Sequence, residues 1–320
     1  MSDARTENSD PVPAITEAAA SGETAQIFAD LRATLGVNVV NLIWRHIATF
    51  PGALPWAWAT VKPVYVSGRV AMEAQRLKAG LSIPALPDWP NAVLRCAGID
   101  AAGEASIRRI LASYNRSNAM NLVALSALVR RIDGAPADTR TDTAFPEQPQ
   151  EATIEGALPK LLTLDEVAAD TADLVRRINL LGDRDQGRIL ASMYRHLAHW
   201  PGFLSLSHVH LAPLAEDGRL ARLIAQAITL GNNAGARLQA DIAVLPPPDT
   251  AAAVRRAATA HDCRPEPRRS RAQTTGPDEV FPTAQSRPTR CRLRSILNSR
   301  PARNPRARKS VCSAAWRCRR

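Results

Sequence analysis

Three asparagines, Asn115, Asn118 and Asn121, stand at three-residue intervals in a segment, Glu104 to Ile132, whose apolar residues recur with helical spacing. Asparagine competes with the helix backbone for hydrogen bonds, so three on about one side of a helix need a purpose. Either they form a solvated polar face, or they are a row of amides turned toward a buried polar pocket. The remaining candidates for chemistry are basic. Arg45 and His46 are echoed by Arg195 and His196, with His199 close behind. A neutral imidazole accepts a proton near neutral pH, and a guanidinium holds a carboxylate through paired hydrogen bonds. The competing reading of these pairs is structural, as caps or as bridges between two halves. His208 and His210 fall on opposite sides of a helix and make a poor metal pair. The five cysteines contain no Cys-x-x-Cys spacing. Neither a metal nor a cofactor is expected.

The elements that must position these groups are repeated. Trp44-Arg45-His46-Ile47-Ala48-Thr49-Phe50-Pro51-Gly52-Ala53-Leu54 returns as Tyr194-Arg195-His196-Leu197-Ala198-His199-Trp200-Pro201-Gly202-Phe203-Leu204, and the offset of 150 holds through Pro63 and Pro213, Gly68 and Gly218, and Ala71 and Ala221. Before the Pro-Gly pair, apolar residues (Val40, Leu42, Ile43, Ile47, Phe50; then Ile189, Leu190, Met193, Leu197, Trp200) recur at three and four residues, as on a helix with a buried stripe. Pro-Gly is expected to stop that helix. A further helix follows from Leu54 to Leu81, with a bend at Pro63 or Gly68. Upstream, the helix near Gly22–Leu35 finds its counterpart near Asp170–Ile178, at an offset of about 147. Two such units would pair about a pseudo-twofold axis, with a ligand site at the seam.

The expected organisation is all-α: a disordered lead over 1–12, a helical repeat over 13–134, a linker over 135–158, and a second, incomplete repeat over 159–262. The tail over 263–320 has no apolar face. Ala251–Ala258 begins the match to the long helix of the first repeat, but beyond Asp262 the periodicity vanishes. Of the 41 basic and 30 acidic residues, eighteen basic and four acidic lie in 255–320, so the overall charge of +11 resolves into a body of −3 and a strongly basic tail. Such a tail is either a disordered arm contacting nucleic acid or a frameshifted stretch of a GC-rich gene. The sudden loss of the repeat and the concentration of Arg and Cys favour the frameshift. The acidic, polar start and the lack of a long apolar run read as neither a signal peptide nor a membrane span, so a cytoplasmic protein is expected.

The paired repeats, Ala48-Thr49-Phe50-Pro51-Gly52-Ala53-Leu54, Tyr114-Asn115-Arg116-Ser117-Asn118 and Ala198-His199-Trp200-Pro201 resemble the group I 2-haloacid dehalogenases, over about 13–250. The resemblance implies an all-helical fused pseudo-dimer of two tandem repeats with the site between them. It also implies a small-molecule carboxylate as partner. The implied reaction is hydrolysis of a 2-halocarboxylic acid without a covalent ester: a carboxylate base takes a proton from water, the water displaces halide with inversion, and either enantiomer is accepted. On this alignment Asn115 matches the asparagine that holds the water and Ser192 the serine beside the base. The base position falls on Met193, whose thioether takes no proton at neutral pH. The pocket-lining aromatic positions of the first repeat fall on Val39 and Leu42. Two outcomes are carried forward: a hydrolase with a different base, or a family member that binds a small carboxylate without hydrolysing it. A missing final helix would expose an apolar seam through which two copies could pair.

Overall fold

Glycines in the left-handed region divide the first eighty residues into short helices, because only a residue without Cβ turns there without strain. Gly36, Gly52 and Gly68 (φ 65°, 70° and 78°) separate α1 (Gly22–Leu35), α2 (Leu42–Ile47), α3 (Ala53–Val66) and α4 (Arg69–Ala79). A proline-rich connector leads to α5 (Asn91–Cys96) and then to α6 (Ala101–Ile132), whose first turn is capped by Asp100 accepting from the Gly103 amide at 2.7 Å. The later helices are α7 (Ala169–Gly182), α8 (Ser192–Leu197), α9 (Pro201–Glu216), α10 (Arg219–Leu238) and α11 (Pro248–Ala260), with a 3₁₀ turn at Gln239–Asp241. The computed structural model describes residues 12–136, 152–182, 189–243 and 248–260. Most of the expected lead and linker, and the whole tail over 263–320, lie outside them. Among the described residues there is no strand, and no helix is long and apolar enough to cross a membrane.

Two local expectations are corrected. The apolar run from Leu54 to Leu81 is two helices rather than one bent helix, because Gly68 takes up a left-handed turn after Pro63 has already cost the helix a backbone donor. Gly218 does the same before α10, with φ 76°. The Pro-Gly pair does not end the preceding helix, since α2 and α8 are six residues long and stop at Ile47 and Leu197. In the second half Pro201 occupies the first position of α9, where its missing N–H costs nothing.

The long α6 is the spine. It packs most extensively against α10 and also against α4, α8, α11 and α3. Its closest approach to α10 depends on small residues: a Cβ on Gly231 would meet Leu122 at 2.7 Å, and one on Gly235 would meet the backbone of Ala127 at 2.8 Å. Beside this crossing Glu73 of α4 is fully buried, and Arg237 of α10 donates to both of its carboxylate oxygens while Arg76 donates from the next turn. The two halves differ in cover. Helix α3 buries eight residues, including Leu54, Trp58 and Tyr65, with α1, α4, α6 and α11 against it, whereas α9 buries only Leu204 and Leu214.

Candidate functional site

Helices α2 and α8 each present a buried arginine from equivalent positions, Arg45 and Arg195; α6 packs against α8 and reaches α2 and its cap through hydrogen bonds from Trp44 and Asn41. The face of α6 involved is defined by spacing. Tyr114, Asn118 and Asn121 are four and then three residues apart, the interval that stacks side chains on one side of a helix. The resulting buried polar seam has two parts.

The first part is a directional chain of hydrogen bonds. The Arg45 guanidinium folds back to its own helix start, with Nε donating to the Val40 carbonyl at 3.2 Å, and Nη2 donates to Ser192 Oγ at 2.8 Å. Ser192 hydrogen-bonds in turn to the Tyr114 hydroxyl. Tyr114 Oη lies 2.8 Å from His196 Nδ1, and the imidazole also bonds the Pro159 carbonyl. A carbonyl only accepts, so the second ring nitrogen carries the proton. Nδ1 is then the acceptor and Tyr114 the donor. Burial sets the electrostatics. It lowers the His196 pKa to about 4, with the charges of His199, Arg195 and Arg45 pushing the same way, so the ring is neutral at pH 7. Burial also raises the Tyr114 hydroxyl well above its ordinary value, against the pull of Arg45 and Arg195. His46, the counterpart of His196, has Nδ1 2.7 Å from the Pro13 carbonyl and stands edge-on to the Phe50 ring.

The second part is an amide cluster one turn along. Asn41 Nδ2 donates to Asn118 Oδ1 at 2.7 Å. Trp44 Nε1 and the Tyr65 hydroxyl both donate to Asn121 Oδ1, at 3.0 and 2.9 Å. Burial raises the Tyr65 pKa, so that hydroxyl remains a donor throughout the accessible range.

The residues singled out from the sequence are distributed unevenly. Ser192 is buried at the centre of the hydrogen-bond chain, and Val39 and Leu42 are buried at the approach to α2. Met193 is half-buried against the core beside Ser192. Asn115 lies on the exposed side of α6, one residue past Tyr114, and the structure does not bring it to Ser192. The three asparagines therefore do not act as one row: Asn115 faces outward, Asn118 is exposed but bonded inward, and Asn121 is buried. Sequence reasoning missed Asn41, Tyr65 and the role of Tyr114. The four-then-three spacing of Tyr114, Asn118 and Asn121 was the available signal. His199 is exposed and bonds the Lys160 carbonyl, and His210 bonds Trp89 on the far side of α9. Two surface recesses, one apolar and open (Ala92, Val93, Cys96, Ala97, Leu206) and one beside Arg130 and Asp133, lie away from the seam.

The chain is all-helical, with a cluster of buried polar residues on α2, α6 and α8. No family model matches the sequence. A configuration-inverting 2-haloacid dehalogenase of Alcaligenes xylosoxydans xylosoxydans is 28% identical over 229 residues, 67% of this chain and 75% of that protein. Another, from Pseudomonas sp. (strain 113), is 29% identical over 203 residues, 61% of this chain and 64% of that protein, so the chain spans less than two thirds of its length. Solved structures of a D-2-haloacid dehalogenase with L-LA and of a mutant with D-2-CPA share the fold, with TM-scores of 0.58 and 0.57, identities of 18% and 19%, and coverage of 78% of this chain and 90% of theirs. The family-level likeness is thus to the 2-haloacid dehalogenases.

Proposed function

We propose that the chain is a 2-haloacid dehalogenase of the group I type, a fused pseudo-dimer of two tandem repeats that binds a short 2-halocarboxylate at its seam and replaces the halide with hydroxyl by inversion. The observation that carries the reading is the buried chain Arg45–Ser192–Tyr114–His196, which joins α2 of one half to α8 of the other. Arg45 and Arg195 supply the positive charge that a substrate carboxylate requires.

Met193 at the family's base position cannot receive the proton, and the seam offers one substitute. Water attacks C2 and halide leaves with the bonding electron pair. A water proton passes to Tyr114 Oη while the tyrosine's own proton passes to His196 Nδ1, so no phenolate forms. The imidazolium then returns its proton to solvent. An imidazole held near pKa 4 is about as basic as a carboxylate and stands unprotonated at neutral pH, which suits it to this task. Asn115, carried over as the asparagine that holds the water, lies on the outer side of α6 and supports this route less than the seam residues do.

A second reading is favoured by Met193 itself: the same seam binds a small carboxylate and hydrolyses nothing. Halide release measured from each enantiomer of 2-chloropropionate separates the two. The hydrolytic reading expects release that falls at least a hundredfold in Tyr114→Phe and His196→Gln. Carboxylate binding without release by the unaltered protein would establish the second.

A further inference from the structure

Residues 152–160 form no helix, yet side chains from both halves hold their backbone. A carbonyl near the core needs a donor, and six in this strap find side-chain donors on other parts of the fold. From α6, Arg116 Nη1 donates to the Ala152 carbonyl at 2.9 Å and Arg109 Nη1 reaches that of Ala157 at 3.4 Å. From the link between α1 and α2, Asn38 Nδ2 donates to two at once, Ile154 at 2.8 Å and Gly156 at 2.7 Å, and the Gly36 carbonyl accepts from the Ile154 amide. From α8, His196 and His199 donate to the carbonyls of Pro159 and Lys160. Ile154 and Leu158 pack inward against the core, whereas Asn38 and most of the strap are exposed.

The strap meets the seam at the end of its hydrogen-bond chain. Its Pro159 carbonyl takes the Nε2 proton of His196, and that leaves Nδ1 as the acceptor for Tyr114. Both ring nitrogens are thus engaged and the ring is buried, so a proton received at Nδ1 reaches water only when the strap lifts. The charged and titratable groups around the pair are Arg45 of α2, Arg195 and His199 of α8, and Glu17 before α1, while Lys160 of the strap turns to Glu166. Lifting costs little. The latch bonds lie at the surface, where each is worth roughly 0.5–1.5 kcal/mol, and only Ile154 and Leu158 leave the core. Gly156, at φ 85°, gives the strap a left-handed turn, and a Cβ there would meet Arg109 Nε at 2.9 Å.

We propose that residues 152–160 are a lid over the seam with Asn38 as its latch: closed, it fixes His196 in the tautomer that accepts from Tyr114, and it lifts once per turnover. On lifting, the proton that His196 Nδ1 received from Tyr114 passes to bulk water and the ring returns to neutral. Asn38 is thereby a positioning residue, acting on the reaction through the strap and His196. The inference rests on the reading of the seam as the reacting site.

The test is nitrogen-15 NMR of the imidazole rings in the full-length protein across the acid range, with His196 assigned by its absence from His196→Gln. Hydrogen exchange at the Ile154 amide is followed in the same samples: the unaltered chain, Asn38→Ala and Asn38→Gln. The unaltered chain is expected to show one tautomer, with the proton on Nε2. Asn38→Ala should show a mixture of tautomers, a protonation midpoint raised by about one pH unit as water reaches the ring, and exchange at Ile154 about tenfold faster with α6 unchanged. Asn38→Gln keeps an amide donor and should recover the single tautomer. Gly156→Ala loosens the strap from its own side and should give the same changes should Asn38→Ala fail to fold. A tautomer and midpoint that neither Asn38→Ala nor Gly156→Ala moves overturn the lid. These readings need no halide release. A protein that releases none but whose His196 answers to the latch keeps the lid and loses the hydrolytic reading, whereas release with an unresponsive His196 overturns the lid alone.

Discussion

His196 makes the stability of this protein sensitive to mild acid in a way that can be worked through. Well above pH 6.5 the ring is neutral in the folded and the unfolded chain, and at pH 7 the folded ring is neutral and the unfolded one mostly so. Below pH 6.5 the unfolded chain takes up a proton at this residue, whereas the folded chain resists until about pH 4, because burial and the neighbouring charges of His199, Arg195 and Arg45 oppose it. The unfolded state therefore binds more protons between those limits, and folding stability falls as pH falls through that window. A depression of this size amounts to on the order of 3 kcal/mol, lost between pH 6.5 and 4 and constant below. Other groups titrate in the same range, so the contribution is isolated by comparison. Chemical denaturation of the unaltered protein and of His196→Gln, at half-unit intervals from pH 7.5 to 4, should show the difference in unfolding free energy between the two narrowing by about 1.4 kcal/mol per pH unit below 6.5. Parallel curves would refute the reasoning and mean that His196 takes its proton in the folded state as readily as in the unfolded one.

Glu73→Gln should destabilise the protein by about 3 kcal/mol in denaturant titrations, toward the low end for breaking a buried ion pair because the side chains of Arg237 and Arg76 keep about a fifth of their exposure. Gly235→Ala should cost about 1–3 kcal/mol despite alanine's better helix propensity, since its Cβ would meet the backbone of Ala127, which cannot rotate aside; an unchanged melting temperature would show that α6 and α10 lie further apart. Trp44→Phe should lower stability by about 1 kcal/mol in denaturant titrations, because Asn121 Oδ1 loses one of its two donors and keeps Tyr65, and adding Asn121→Leu should deepen the loss by stranding the buried Tyr65 hydroxyl; recovery in the double variant would refute this. Met193→Asp should raise halide release at neutral pH if the seam already holds a 2-haloacid in line for attack.

Much of the architecture was legible before any coordinates. Pro63 and Pro213, and Gly68 and Gly218, marked equivalent breaks 150 residues apart because their effects on the backbone are local and do not depend on context. The long α6 was legible to within three residues at its start and to the residue at its end, since Asp133 and Gly134 end an otherwise continuous apolar stripe. The six-residue lengths of α2 and α8 were not, because their apolar stripes continue past the helix ends into turns whose Phe50 and Trp200 still pack, partly buried, against the core.

The site was legible in kind rather than in detail. Spacing brought Asn115, Asn118 and Asn121 to notice but could not say which way α6 is rotated. A turn of about 100° per residue separates an exposed Asn115 from a buried Tyr114. Arg45 and Arg195 stood out as a repeated pair, yet their burial is a tertiary outcome, Arg45 meeting Ser192 147 residues away, which no local pattern encodes. The partnership of His196 with Tyr114, 82 residues earlier, is likewise a tertiary outcome.

The measurement that bears most directly on the account is chloride release from (R)- and (S)-2-chloropropionate by the purified full-length protein at pH 7.5, with the configuration of the 2-hydroxypropionate product determined. The account predicts chloride and hydroxy acid in equal amounts, product of inverted configuration, and loss of both in His196→Gln. No chloride from either enantiomer, with release appearing on Met193→Asp, would contradict it and identify the protein as a carboxylate-binding relative whose seam persists without its base.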